Sequence, residues 1–153
     1  MLSMEDVLSL VPQRRPFRFL DRLLSIDETR AIGEYTFRDD EHFYAGHFPG
    51  DPVTPGVILI ETMCQTGLVA LGIHLLGLEL SREEVARTVT LFTESSEIEF
   101  ERIVRPGETV RVTAEKIYWR RRKLKSHVVL TLADGTPVAK GIVAGMGVER
   151  ARA

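Results

Sequence analysis

The feature that most constrains the fold is an almost uninterrupted apolar segment over residues 57–76. Its first half carries one acid, Glu61, and one amide, Gln65. At about 20 residues the segment reaches the length that spans a bilayer. A charged group inside a bilayer costs at least ~2.5 kcal/mol on insertion scales, and the chain offers no second span. We therefore expect a helix buried in a protein core and no membrane partner.

Composition bounds the class of protein. The chain has 153 residues, 44% of them hydrophobic, which predicts one domain over residues 1–153 with a real core. A net charge of −2 does not indicate a nucleic-acid binder. The single cysteine, Cys64, excludes an internal disulfide and a cysteine-built metal site, and is typical of a reducing compartment. The N-terminal residues lack the pattern of a signal peptide, so we expect a cytoplasmic protein.

The rest of the chain has mostly the pattern of β-strands. A short helix over Met4–Leu10, capped by Ser3, comes first. Alternation and turn residues then predict six or seven strands, within 17–26, 30–37, 88–93, 98–104, 109–119, 125–133 and 137–148. A helix that is apolar on all sides must be covered on most of them. We expect an α+β fold in which a curved antiparallel sheet wraps the helix, and a dimer that closes open sheet edges.

A histidine in a stiff loop precedes the helix. Six glycines and prolines fall within positions 46–56, around His47. Imidazole titrates near neutral pH and can act as a base. A carboxyl on an apolar helix, such as that of Glu61, is desolvated, which raises its pKa and favours the protonated acid. The stretch therefore predicts proton chemistry in a dry site.

Each of these residues also has an ordinary structural interpretation. A lone loop histidine is structural more often than catalytic, and Gln65 fits either a site residue or a packing amide. Cys64 is expected to be a small buried residue rather than a nucleophile. His42 and His47 form a weak metal pair, because no matching cluster of acids or cysteines accompanies them.

Residues 47–65, HFPGDPVTPGVILIETMCQ, resemble the active-site signature of the 3-hydroxyacyl-(acyl-carrier-protein) dehydratases of fatty-acid synthesis, the FabZ/FabA type. The likeness extends upstream through residues 41–46, and the flanks at 15–17, 20–22, 106–108 and 120–125 resemble the same family. The resemblance implies the hot-dog fold, a lyase activity and an acyl carrier protein partner. It also implies that no metal or organic cofactor is needed.

Dehydration of a 3-hydroxyacyl thioester removes a proton from C2 and hydroxide from C3. His47 is the candidate base and Glu61 the candidate acid. The backbone N–H of Gly56, where the helix opens, is the candidate partner for charge on the thioester oxygen. Gln65, four residues after Glu61 and on the same helix face, is the candidate support for its carboxyl. The resemblance further implies that His47 and Glu61 of one site come from different subunits of a homodimer; a hexamer of three dimers stays open.

Acyl carrier proteins are acidic, so a local basic patch is expected to bind them. The densest basic run contains Arg120, Arg121, Arg122, Lys123 and Lys125, and we expect Arg102 to join it. An ordinary solvated hairpin tip would have the same composition.

Three alternatives stay open at this point. A hot-dog acyl thioesterase needs a group that activates water but has no need of this histidine loop. A non-catalytic carrier-binding subunit would not need the His47 and Glu61 pair. Departures from the family pattern, with Gln13 in place of histidine, Thr54 in place of a larger apolar residue and an acidic strand after the helix, favour a specialised pathway such as polyketide or polyene assembly.

Overall fold

A computed structural model of the chain describes residues 1–151. The helices are α1 (Met4–Leu10), α2 (Gly56–Cys64), α3 (Leu71–Leu76) and α4 (Arg82–Ala86), and a π-helical turn, Gln65–Ala70, joins α2 to α3. The strands are β1 (Arg22–Ile26), β2 (Arg30–Thr36), β3 (Thr88–Phe100), β4 (Thr109–Arg120), β5 (Lys123–Leu132) and β6 (Pro137–Glu149).

The six strands form one antiparallel sheet in the order β1-β2-β4-β5-β6-β3. Alternate residues of β4, Val110, Val112 and Ala114, are buried against the central helix, as period-two patterning predicts. The predicted arrangement of one long apolar helix and a wrapping antiparallel sheet is confirmed.

The central helix, from Gly56 to Leu76, is long and apolar enough to cross a membrane, but 78% of its most apolar window is buried inside the protein. The expectation of a core helix is therefore confirmed. Leu59, Met63, Leu68 and Leu71 all lie in the main core, as expected. The step from Met63 to Leu68 is one residue longer than an α-helical repeat, and the π-helical turn supplies that extra residue.

Two strand predictions were wrong at their ends. The first strand starts at Arg22 rather than Phe17, because the N–H of Phe19 donates to the side chain of Gln65 instead of to a neighbouring strand. The predicted strands at 88–93 and 98–104 are one strand, β3, that bulges near Phe92 and again before Glu99 and ends at Phe100. Residues 101–104 lie outside it, and the carbonyl of Val104 pairs with the loop that carries His47.

The edges of the sheet are the short β1 and the long β3. β3 has 13 residues and pairs with β6 on one side only, and most of its residues are exposed. Apolar side chains project from it, with Leu91, Phe92 and Phe100 each about half exposed. An open edge of this length is a ready surface for another strand.

Candidate active site

His47 lies in a loop that folds back on itself. Its Nδ1 is 2.8 Å from the carbonyl oxygen of Val53, and the Val53 N–H donates to the His47 carbonyl at 2.9 Å. A carbonyl oxygen only accepts, so Nδ1 must carry the proton in this hydrogen bond. The neutral imidazole then has an unprotonated Nε2, which is the form a general base needs.

The tip of this loop is a tight turn. Gly50 has φ +75°, a conformation that glycine adopts without strain, and the N–H of Asp51 donates to the Phe48 carbonyl at 2.9 Å. The Phe48 ring stacks on the imidazole of His47, with ring centroids 4.1 Å apart. Arg105 donates to the Asp51 carboxylate at 2.7 Å and so ties the tip to the loop that follows β3.

Glu61 is half-buried on α2, one turn into the apolar helix. Burial raises the pKa of its carboxyl, and a hydrogen bond from Gln65 opposes that shift. The predicted direction of the shift agrees with this result, and it favours the protonated acid. The thiol of the neighbouring Cys64 is buried and its pKa is also raised by desolvation, which is typical of an unreactive cysteine.

Gln65 holds Glu61 and the N-terminal segment together. Its Nε2 donates to Glu61 Oε1 at 3.0 Å and to the Phe17 carbonyl at 2.9 Å, and its Oε1 accepts the Phe19 N–H at 2.7 Å. The side chain is fully buried and out of reach of water, so these bonds satisfy the polar atoms of its amide. Its spacing from Glu61 was predictable; its bonds to Phe17 and Phe19 had no signal in the sequence.

Gly56 is the first residue of α2 and follows Pro55 at the N-cap. The first N–H groups of a helix have no acceptor within the helix, and the positive end of the helix dipole lies there. A Cβ at Gly56 would lie 3.1 Å from the Phe100 ring, so a larger residue would crowd the end of β3. Gly56 therefore combines available N–H groups with close approach of another element.

The two catalytic candidates are held by separate partners. Within residues 1–151, His47 hydrogen-bonds to Val53 and Glu61 to Gln65, and no hydrogen bond links the two catalytic candidates. The role of both residues stays a prediction.

The basic run occupies the end of the β4–β5 hairpin. Arg121 and Arg122 form its turn, with φ values of 50° and 61°, and Lys123 pairs with Glu94 of β3 at 3.0 Å. A surface cavity of about 470 Å³ beside the turn is bordered by Tyr118, Arg120, Arg121, Lys123 and Met146.

Arg102 is not part of this basic end. It follows β3 at the level of Ala139, whereas the hairpin turn lies at the level of Met146, ~23 Å away along β6 at the usual rise per residue. Arg102 pairs instead with Glu108 at 3.3 Å, on the same side as the His47 loop. The expectation that Arg102 joins the run within one chain was wrong, because the sheet register separates them.

The remaining histidines do not extend the site. His74 is buried on α3 and desolvation lowers its pKa, while His127 is exposed on β5. Among residues 1–151, no three histidine, cysteine or acidic side chains lie close enough to hold a metal ion.

Known protein sequences resemble this chain over most of its length. The FabA-like domain family matches residues 11–142. The 3-hydroxyacyl-(acyl-carrier-protein) dehydratase FabZ of Chloroflexus aggregans is 37% identical over 135 residues, which make up 88% of each chain. FabZ of Herpetosiphon aurantiacus is 37% identical over 142 residues, 92% of this chain and 94% of its own.

Solved structures share the architecture. A chain of the dehydratase heterocomplex ApeI:P from Xenorhabdus doucetiae superposes with a TM-score of 0.75 at 13% identity, covering 94% of this chain and 91% of its own. A thioesterase from Haemophilus influenzae superposes with a TM-score of 0.67 at 13% identity, covering 97% and 92%. Likeness at such identities shows the hot-dog fold alone.

Proposed function

The chain belongs to the FabA-like family, whose FabZ members it matches over most of its length, and we propose that it dehydrates 3-hydroxyacyl thioesters. The substrate is a (3R)-3-hydroxyacyl group on acyl carrier protein, and the products are the trans-2-enoyl thioester and water. The relatives named above are 3-hydroxyacyl-acyl-carrier-protein dehydratases, which supports this substrate class.

One observation carries the mechanism. The hydrogen bond from His47 Nδ1 to the Val53 carbonyl leaves Nε2 of the neutral ring as a proton acceptor. Nε2 removes the C2 proton, and the electron pair of that C–H bond forms the C2=C3 double bond as the C3–O bond breaks. Glu61 donates its proton to the departing hydroxyl, which leaves as water. The imidazolium then returns its proton to the Glu61 carboxylate through solvent, and both groups are restored.

Charge also grows on the thioester oxygen while the C2 proton leaves. Backbone N–H groups at the start of α2, beginning with Gly56, stabilise that oxygen, because they are already oriented and need no rearrangement. The reaction thus has a base for the C2 proton in His47, an acid for the departing hydroxyl in Glu61, and hydrogen-bond donors for the thioester oxygen beginning at Gly56.

A homodimer completes the site. The open edge of β3 is the natural contact, and an antiparallel β3–β3 pairing brings the start of one strand to the end of the other. Phe100 at the end of β3 borders Gly56 and thereby links the interface to the start of α2. His47 of one subunit then serves Glu61 of the other. The association of three such dimers into a hexamer is compatible with this arrangement.

The acidic carrier binds to the basic hairpin end, Arg120 to Lys125. In an antiparallel dimer this end of one subunit approaches the other subunit's Arg102, so residues that are distant within one chain can share a surface. We place the protein in the cytoplasm, in keeping with its single cysteine, and its reaction requires no metal or organic cofactor.

The test is hydration and dehydration of 3-hydroxyacyl and enoyl thioesters of increasing length, on carrier protein and on pantetheine, followed by enoyl absorbance. We expect reversible interconversion by the wild type. His47→Ala and Glu61→Gln should each lower kcat/KM by ~10²-fold or more, the scale of general acid–base catalysis. His127→Ala, which changes an exposed histidine of β5, is the matched control and should retain full rate.

The outcomes separate the alternatives. Release of free thiol without enoyl formation would identify a thioesterase. Carrier binding by a folded protein with no turnover at any chain length would identify a non-catalytic subunit. A specialised pathway predicts faster turnover on a carrier other than that of fatty-acid synthesis, and preference for the fatty-acid carrier would exclude it.

A further inference from the structure

Two buried hydroxyl groups connect the arms of the His47 loop. Tyr44 stands before the histidine and Thr54 after it, and they are only 6% and 3% exposed. Tyr44 Oη and Thr54 Oγ1 lie 2.7 Å apart and share a hydrogen bond. Since both groups are removed from water, each satisfies the other, and separating them would leave two buried hydroxyls without partners.

This pair adjoins the peptide group that orients His47. The Val53 carbonyl and the Thr54 N–H belong to the same peptide unit. The carbonyl accepts from His47 Nδ1 at 2.8 Å, and the N–H donates to the Val104 carbonyl at 2.8 Å. The side-chain hydrogen bond between Thr54 and Tyr44 therefore holds Thr54 in place, and with it the orientation of that peptide unit.

The Tyr44 side is itself well anchored. Its N–H donates to the Glu41 carbonyl at 3.1 Å, and its ring packs edge-on against Phe43 with centroids 4.8 Å apart. Burial raises the pKa of Tyr44 to about 12, so its hydroxyl stays neutral from acid to mildly alkaline pH. The bond to Thr54 is therefore present in every protonation state of the base.

We infer that Tyr44 and Thr54 are positioning residues for His47: their hydroxyl pair holds the Val53 carbonyl where it binds the Nδ1 proton and leaves Nε2 free. The inference rests on the proposed function, in which His47 is the base. Neither side chain touches the reacting atoms. Their removal should change the tautomer of His47 and the pH dependence of kcat, beyond any effect on stability.

The experiment removes each hydroxyl with almost no change of shape, as Tyr44→Phe, Thr54→Val and the double variant. We expect kcat to fall about tenfold in each single variant, the limit set by one net hydrogen bond, with KM unchanged. The double variant should be no slower than the slower single variant, because all three lack the same bond. The acidic limb of the pH profile should move, and nitrogen NMR of His47 should show loss of the pure Nδ1–H tautomer.

Two further variants separate positioning from folding. Thr54→Ser keeps the hydroxyl and should restore kcat and the tautomer. Thr88→Val removes another buried threonine hydroxyl, which donates to the Glu84 carbonyl at 3.3 Å far from the loop, and should change neither. If Tyr44→Phe fails to fold, the comparison of Thr54→Ser with Thr54→Val decides.

The inference would be overturned if folded Tyr44→Phe and Thr54→Val kept the wild-type kcat, pH profile and His47 tautomer. The tautomer is read without turnover, so it is independent of the proposed function. A His47→Ala variant with full dehydratase activity would refute the proposed function even if the tautomer still depended on Tyr44.

Discussion

The loop that carries His47 and the helix that carries Glu61 position their side chains by different means. The loop is largely exposed and has no regular secondary structure, so backbone hydrogen bonds position its imidazole. The helix is buried and regular, so its carboxyl needs a neighbouring amide, Gln65, to orient it. Burial pushes the carboxyl of Glu61 toward the protonated form, whereas the half-buried imidazole of His47 keeps contact with solvent.

The difference teaches that acid and base need different surroundings more than they need proximity in the chain. An imidazole base takes up a proton and must return it through solvent after each turnover, which favours a partly hydrated site. An acid must hold its proton at neutral pH, which favours desolvation. Loop and helix on separate subunits would let each keep its own surroundings until the dimer forms.

The largest expected effect is the recovery of activity on mixing two inactive variants. His47→Ala and Glu61→Gln subunits, dissociated together and reassembled, should regain about a quarter of wild-type activity, because half of the symmetric dimers are mixed and each has one intact site. Enoyl absorbance before and after mixing measures the effect. Mixtures that stay as inactive as their parents, although heterodimers are detected by mass, would place the loop and helix of one site in the same subunit.

The next largest effect is expected when the hydrogen bond that orients Glu61 is removed. Gln65→Leu should lower the free energy of unfolding by at least ~3 kcal/mol, because three buried groups lose a partner at ~1–3 kcal/mol each. Loss of the N–H bond to Glu61 should raise the pKa of that carboxyl further. The alkaline limb of kcat would then move to higher pH, since the protonated acid persists longer.

Gln13→Leu is the matched control for this change. Gln13 Oε1 is buried and has no hydrogen-bond partner within residues 1–151, so leucine removes a polar group that nothing satisfies. Stability should be unchanged or higher, and the pH profile should not move. An equal loss of stability in both variants would show that Gln65 contributes through packing and not through its hydrogen bonds.

A smaller effect concerns the pH dependence of stability, with opposite signs for the half-buried carboxyl of Glu61 and the buried carboxyl of Glu34. Burial raises the pKa of Glu61, so its contribution is full below the unfolded pKa, about 4.3, and is lost as pH rises through the folded pKa. Hydrogen bonds from Arg22 and then Arg111 lower the pKa of Glu34, so its contribution is present above the unfolded value and lost as pH falls through the folded one.

Denaturant unfolding at several pH values measures both. Glu61→Gln should gain stability over the wild type as pH rises from 4 to 7, whereas Glu34→Gln should lose ~1–3 kcal/mol at pH 7 and less in acid. Slopes of the same sign would contradict the contrast between a desolvated and an ion-paired carboxyl.

The smallest effect lies at the loop tip. Arg105→Ala removes an exposed ion pair with Asp51, so the free energy of unfolding should change by less than ~1 kcal/mol. The pH profile of kcat should stay as in the wild type, because the hydrogen bond from His47 to the Val53 carbonyl remains. Lys140→Ala, which breaks an exposed pair with Glu99 on the sheet, should have a similar effect on stability. A large fall in kcat for Arg105→Ala alone would mean that the loop tip, rather than the Val53 carbonyl, orients the imidazole of His47.

Local features could be predicted because their interactions lie close in sequence. The cap of α1 by Ser3, the capping box that opens α4 at Ser81, and the turns at Gly107 and Gly135 depend on residues within one turn. The lone acid on an apolar helix and its amide one turn later were visible for the same reason. So was the resemblance of residues 47–65 to a dehydratase signature.

The tertiary structure decided which groups meet across the chain. The sheet order places β3 at the far edge beside β6, and this register separates Arg102 from the basic hairpin. The bonds from Gln65 to Phe17 and Phe19, and the bond between Tyr44 and Thr54, depend on the directions of side chains in separate elements. Periodicity records which face of an element is apolar, but not which distant element will cover it. By itself, therefore, the sequence determined the candidate acid, the candidate base and the apolar helix that carries the acid, and packing decided how each is held.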